Sequence, residues 1–316
     1  MNNWLCSHRK NRLMIAHILF VARKNISALM FFVLISLPGT LNAQEPLNAH
    51  PAVWLIEQEN SKTYFLGSIH LLPQGINWYG GKIETIFEQT DEVAFEVHMT
   101  PEKEAKAQQI MIANGRLPDG EKLSNYLEPE EYETVLEQAR IIGIPTNSIA
   151  NFKPWFASLA LSVTATIKQG WDPESGVDKF IEKLARKKNI PIAELETVEE
   201  QMATLYDHPF EIQADMLIDT LDQLKEIETV TTNMASSWGS GDEEKMKEAF
   251  VNPLQQQREI YRKLITQRNT NWIPVIEKLM AKEQTTLVVA GAAHFIGDGG
   301  LVGMLENKGY EIKRVQ

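Results

Sequence analysis

Two histidines occupy matching places near opposite ends of this 316-residue chain. His70 closes the stretch Thr63-Tyr64-Phe65-Leu66-Gly67-Ser68-Ile69-His70, and His294 closes Thr286-Leu287-Val288-Val289-Ala290-Gly291-Ala292-Ala293-His294. In both, an apolar, β-prone run ends in Gly-x-x-His. Two neutral imidazoles and a carboxylate suit a divalent ion such as Zn²⁺, Mn²⁺, Fe²⁺ or Co²⁺, with positions left open to activate water. Glu96 is the carboxylate candidate. It ends an apolar strand pattern, Glu92-Val93-Ala94-Phe95-Glu96, where a charge is costly unless something meets it. His98 lies two residues further on the same strand face and reads either as an additional ligand or as the strand's end.

Other polar residues carry weaker signals. Ser68 lacks a nucleophile-elbow pattern and an evident partner base, so it reads as a loop residue. His50 and His208 have no matching context and read as surface residues. Gly297-Asp298-Gly299-Gly300-Leu301-Val302-Gly303 misses both the dinucleotide and the Walker spacing. It reads as a turn into a helix whose first amides can face an anion. Arg268 and Asn269, between two predicted helices, are candidates for the same work or for helix-end capping.

The elements that must position these groups form a repeat. Each copy is strand, Gly-x-x-His, Gly-containing loop, short amphipathic helix, strand. The first copy has its helix at about 82–89 and its second strand at 92–97. The second copy has them at about 301–307 and 310–315. A repeated unit at both ends predicts one sheet built from both ends. Val53-Trp54-Leu55-Ile56 pairs with the first Gly-x-x-His strand as a predicted hairpin. Residues 101–282 read as helices with short loops, one strand at 191–195, and a capping box at Thr197 and Glu200. The expected fold class is α/β (α+β): a duplicated β-α-β sheet core from 50–98 and 285–316, with a large helical insertion over 101–282. Residues 44–316 then form a single domain.

Residues 1–43 read as a signal peptide. Arg9, Lys10, Arg12, Arg23 and Lys24 precede the apolar run Ala28 to Leu37, and small residues follow up to a cleavage site near Ala43. Translation from Met14 or Met30 would fit the same layout. The expected location is periplasmic or secreted, with no stable membrane span after cleavage. Losing five basic residues and no acid takes the net charge from −11 to about −16. Nucleic acid is a poor partner for that charge. The only cysteine, Cys6, lies in the leader, which excludes disulfides and Cys-ligated metal in the mature chain.

Taken in order, many short stretches resemble one family. They are Leu66-Gly67-Ser68-Ile69-His70, Phe95-Glu96, Lys153-Pro154-Trp155, Gly176-Val177-Asp178, Leu195-Glu196-Thr197 with Gln201, and Trp238 with Gly241-Asp242. Arg268-Asn269 with Trp272, Gly291-Ala292-Ala293-His294 with Gly297, Gly300-Leu301, and Gly309-Tyr310 complete the set. Together they resemble the TraB/GumN family of exported bacterial proteins, related to the Tiki metalloproteases of animals. The resemblance spans essentially the whole mature chain and implies a metal-dependent peptidase. Its divalent ion would be Mn, Co or Zn, held by His70, His294 and Glu96. Arg268 and Asn269 become substrate or transition-state contacts, and Glu96 is either ligand or general base. His98 departs from the acidic or amide residue expected there. The expected function is an exported divalent-metal-dependent hydrolase acting on a peptide or protein substrate. The alternative is a non-catalytic periplasmic peptide-binding or envelope-assembly protein.

Overall fold

The computed structural model describes residues 47–316, so the expected leader lies outside the described residues. The repeated motif builds the centre of a six-stranded sheet. Its strands are β2 (Val53–Gln58), β3 (Ser61–Ser68), β6 (Glu92–Phe95), β8 (Ile192–Glu194), β9 (Thr285–Gly291) and β10 (Ile312–Arg314), in the order β10-β2-β3-β9-β6-β8. Four two-residue strands lie outside it in two pairs: β1 (Leu47–Asn48) beside β5 (Ile76–Asn77), and β4 (Leu72–Pro73) beside β7 (Trp171–Asp172). The predicted hairpin forms, with Gln58 opposite Ser61 at its turn. The two Gly-x-x-His strands are direct neighbours. β3 and β9 run parallel, with Gly67 beside Ala290 and Ser68 beside Gly291. β9 is buried on both faces from Thr286 to Ala290, as its unbroken apolar run requires of a central parallel strand.

The second strands of the two copies diverge. After α1 (Gly81–Glu88), β6 pairs parallel with β9. After α10 (Leu301–Asn307), β10 crosses to the far edge and pairs antiparallel with β2. β2 is therefore the one strand of this sheet that runs against the other five. The repeat supplies one pair of neighbouring strands rather than two interchangeable halves. β6 stops at Phe95, so the strand alternation that would align Glu96 with His98 does not extend to them.

The insertion contributes α2 (Pro101–Gly115), α3 (Pro129–Ile142), α4 (Pro154–Lys168), α5 (Val177–Lys188), α6 (Val198–Tyr206), α7 (Phe210–Lys225), α8 (Ile227–Ser240) and α9 (Gln267–Met280), besides shorter turns. Thr197 and Glu200 form the expected capping box at α6: Glu200 N–H donates to Thr197 Oγ1 at 3.2 Å, and Thr197 N–H donates to Glu200 Oε2 at 2.8 Å. One long helix is predicted over 209–238; the structure breaks it at Glu226 into α7 and α8. The break lets one stretch serve two cores. Leu217, Leu221 and Leu224 of α7 join a helical core with Val135, Ala139 and Leu161. Ala235 and Trp238 of α8 join the sheet core with Phe65, Leu66 and Val289. Side chains of this size contribute about 1.5–3 kcal/mol each when fully buried. His208, expected at the surface, is buried and donates its Nε2–H to Thr204 O at 2.9 Å.

Candidate functional site

Beyond the carboxyl ends of β3, β9, β6 and β8, the chain turns four times within a small volume, the usual location of ligand sites in open parallel sheets. These turns carry His70, His294, Glu96 and Glu196.

His70 follows β3 on a turn clamped by the start of α5. Val177 N–H donates to Ile69 O at 3.0 Å. A Cβ on Gly176 would stand 2.2 Å from His70 O, so only glycine lets the two backbones approach this closely. Asp178 then reaches the ring: its Oδ2 accepts from His70 Nδ1 at 2.8 Å while Oδ1 accepts from Ser68 Oγ at 2.8 Å. The Asp178 carboxylate raises the His70 pKa to about 9, against the opposing effect of burial. The side chain is 62% accessible. Gly176→Ala is expected to destabilise the protein by about 1–3 kcal/mol through overpacking. Thermal unfolding measures the loss, and an unchanged midpoint would show that the two backbones can separate at no cost.

His294 closes a short 3₁₀ turn after β9 and is buried. Its Nδ1 donates to Asn269 Oδ1 at 2.7 Å. The Asn269 amide is oriented by its own donors, which bond His294 O at 3.0 Å and Gly299 O at 2.6 Å. The lone pair of His294 therefore lies on Nε2, which accepts from Arg268 Nη1 at 3.0 Å. Burial, with Arg268 adding to it, pushes the His294 pKa down to about 3, so the ring is neutral. It lies against Trp272, with centroids 4.4 Å apart.

Glu96 joins these groups. Its Oε1 accepts from Gly291 N–H at 2.7 Å and lies 3.9 Å from His294 Nε2. Its Oε2 accepts from Arg268 Nη2 at 2.5 Å and Gln201 Nε2 at 3.0 Å. Burial alone would push the carboxyl up, but Arg268, His294 and His70 hold it well below the usual carboxylate range. Arg268 also bonds Glu196 through Nε and Nη2 and stacks on Trp272, whose Nε1–H donates to Glu196 Oε2 at 3.0 Å. Burial raises the Glu196 pKa against the pull of Arg268.

The geometry revises several expectations. Arg268 and Asn269 lie in the first turn of α9 rather than between helices. With bonds to Glu96, Glu196, His294 and Leu264 O, Arg268 has each of its five donor hydrogens engaged. Asn269 is saturated as well, so neither has a spare donor for an oxyanion as they stand. His98 does not join the cluster: its ring meets Arg186 Nη2 at 2.9 Å and Glu182 Oε1 at 3.2 Å. Asp178, Glu196, Gln201 and Trp272 stood only as motif residues in the sequence. For Asp178 and Glu196 the nearest signal was an acid at the start of a helix.

A divalent ion fits this donor set in two respects. Both rings have Nδ1 held by an acceptor, which leaves Nε2 as the ligating nitrogen. One guanidinium between two buried carboxylates leaves the cluster one negative charge in excess. As the side chains stand, no group of three His, Cys, Asp or Glu among the described residues is gathered for a metal, and Arg268 bonds both Glu96 and His294. A cavity of about 560 Å³ adjoins the cluster through Arg268 and Glu196, with Glu194, Glu200, Asp207 and Lys263 also in its wall. Neither histidine lines it.

A mixed α/β sheet with paired Gly-x-x-His turns over a buried Glu–Arg–Glu cluster defines the class. The chain belongs to the TraB/PrgY/gumN family, whose profile matches residues 52–314. It is similar to the uncharacterized protein YbaP of Shigella flexneri and to that of Escherichia coli (strain K12). Each is 26% identical over 256 residues, covering 81% of this chain and 92% of the relative. No solved structure matches the chain.

Proposed function

We propose that the chain is an exported, divalent-metal-dependent hydrolase acting on peptide bonds. The observation that carries the reading is the pair of imidazoles on the turns after adjacent strands, each with Nδ1 satisfied, so that Nε2 is the nitrogen that could ligate, open on His70 and met by Arg268 on His294. His70 Nε2, His294 Nε2 and the Glu96 carboxylate are the groups that would hold the ion. A bound divalent ion would polarise the substrate carbonyl and lower the pKa of water. Arg268 keeps Glu96 ionised and therefore able to ligate, while the same depression leaves it a weak proton acceptor, which favours the ligand role over that of general base. The adjoining cavity offers room for a substrate side chain. Peptide as substrate follows the Tiki likeness, and export follows the layout of residues 1–43.

The test is the metal content of the purified protein by elemental mass spectrometry, with His70→Ala and His294→Ala alongside. Near-stoichiometric transition metal in the wild type, lost in both variants together with peptide turnover, is the expected result. A second reading is favoured by Arg268, which already bonds two of the three candidate ligands. In that reading the chain binds peptide without turnover. A wild type that takes up no Mn²⁺, Co²⁺ or Zn²⁺ and holds peptide equally well after chelation would select it.

A further inference from the structure

The two Gly-x-x-His motifs lack something that a ligating histidine needs: neither supplies a partner for its own ring nitrogen. Both partners come from the insertion, and they are chemically different. Asp178, the second residue of α5, accepts from His70 Nδ1. Asn269, the third residue of α9, accepts from His294 Nδ1. Each partner is itself held. Ser68 Oγ occupies the other Asp178 oxygen, and two carbonyls take both amide hydrogens of Asn269.

We propose that Asp178 and Asn269 are the positioning residues of the two histidines, fixing each ring so that Nε2 is its ligating atom. The inference rests on the metal-dependent reading above and deepens it. A neutral imidazole has one lone pair, and an acceptor on Nδ1–H places that pair on Nε2; His70, which Asp178 favours in its protonated form, ligates by giving up its Nε2 proton in exchange for the ion. Among the described residues, His70 Nε2 makes no hydrogen bond and its ring is open to solvent. The difference between the partners follows from their surroundings. His294 lies beside Glu96, with Glu196 on the far side of Arg268. A third carboxylate at position 269 would add a buried negative charge that Arg268, already shared, could not balance. An amide provides the acceptor without the charge. His70 sits at the open side, where a carboxylate costs little and holds the ring more firmly.

The insertion therefore completes the site as well as covering it. One face of α5 addresses both arms of the sheet edge. Asp178 takes Ser68 and His70, and Glu182, one turn further, takes His98 just beyond Glu96.

The experiment uses the full chain labelled with ¹⁵N-histidine. In the wild type, low-field Hδ1 resonances are expected from both His70 and His294, assigned by their loss in His70→Gln and His294→Gln. Asp178→Leu, close in size but without an acceptor, should lose the His70 resonance and bind Mn²⁺ about 10- to 100-fold more weakly by calorimetry. Asp178→Asn retains an acceptor and should restore both readouts, which a merely structural role for Asp178 would not require. Undiminished Mn²⁺ affinity in Asp178→Leu, or survival of its His70 resonance, overturns the proposal. So does a wild-type His294 ring protonated on Nε2, a result that stands even if variants at Asn269 do not fold. If the wild type binds no Mn²⁺ while both resonances respond as expected, the positioning assignment stands and the metal-dependent reading falls.

Discussion

Arg268→Met is expected to lower the stability of the protein by about 3–5 kcal/mol, read from equilibrium urea unfolding. Among the described residues the guanidinium is the only cation bonded to Glu96 and Glu196, and the side-chain exposures of the three are 10%, 8% and 6%. Removing it leaves two carboxylates facing each other with little water. Methionine fills much of the volume, so the effect isolates charge rather than a cavity. Adding Glu196→Gln should recover part of the loss, because one of the two stranded charges is then gone. A loss below about 1 kcal/mol would put this cluster in the range of exposed ion pairs and contradict its burial.

Trp272→Ala is expected to cost about 3–5 kcal/mol, the range for emptying a large aromatic site in a core. The indole is fully buried beneath the cluster, against the His294 ring and the Arg268 guanidinium. Its Nε1–H also donates to Glu196. Trp272→Phe separates the two contributions. It retains most of the packing and loses the hydrogen bond to a charged group, for an expected cost of about 1.5–3 kcal/mol. Equal losses in the two variants would mean that the hydrogen bond, not the packing, holds the floor of the site.

The central pair of strands was legible because its signal is local. An apolar run that ends in Gly-x-x-His twice, followed each time by helical spacing, places His70 and His294 on the turns that follow neighbouring strands. Glu96 was legible because a charge at the end of an apolar strand demands a partner. Which partner it takes was not legible. Arg268 lies 172 residues away, and its approach depends on how α9 packs on the sheet. Asp178 and Glu196 were hidden for a similar reason: an acid beside a helix start looks like ordinary capping until a histidine or arginine is folded against it. His98 misled because strand alternation was carried past Phe95, where the chain leaves the sheet. The single helix drawn over 209–238 failed because periodicity registers an apolar stripe and cannot show that its two halves face different cores.

The strand order also has a consequence for how the molecule is made. β9 lies between β3 and β6, yet it is synthesised after everything in the insertion. Until residue 291 has left the ribosome, β3 and β6 have no strand to join them. The outer edge of the hairpin is also covered last, since Val53 exchanges backbone hydrogen bonds with Val315 and Gln316. Pairings this distant in sequence form slowly and late. A chain cut before β9 would therefore lack both His294 and the strand that joins β3 to β6, rather than carry a weakened version of the site. Whatever the paired histidines do, the nascent chain cannot do it until β9 has entered the sheet.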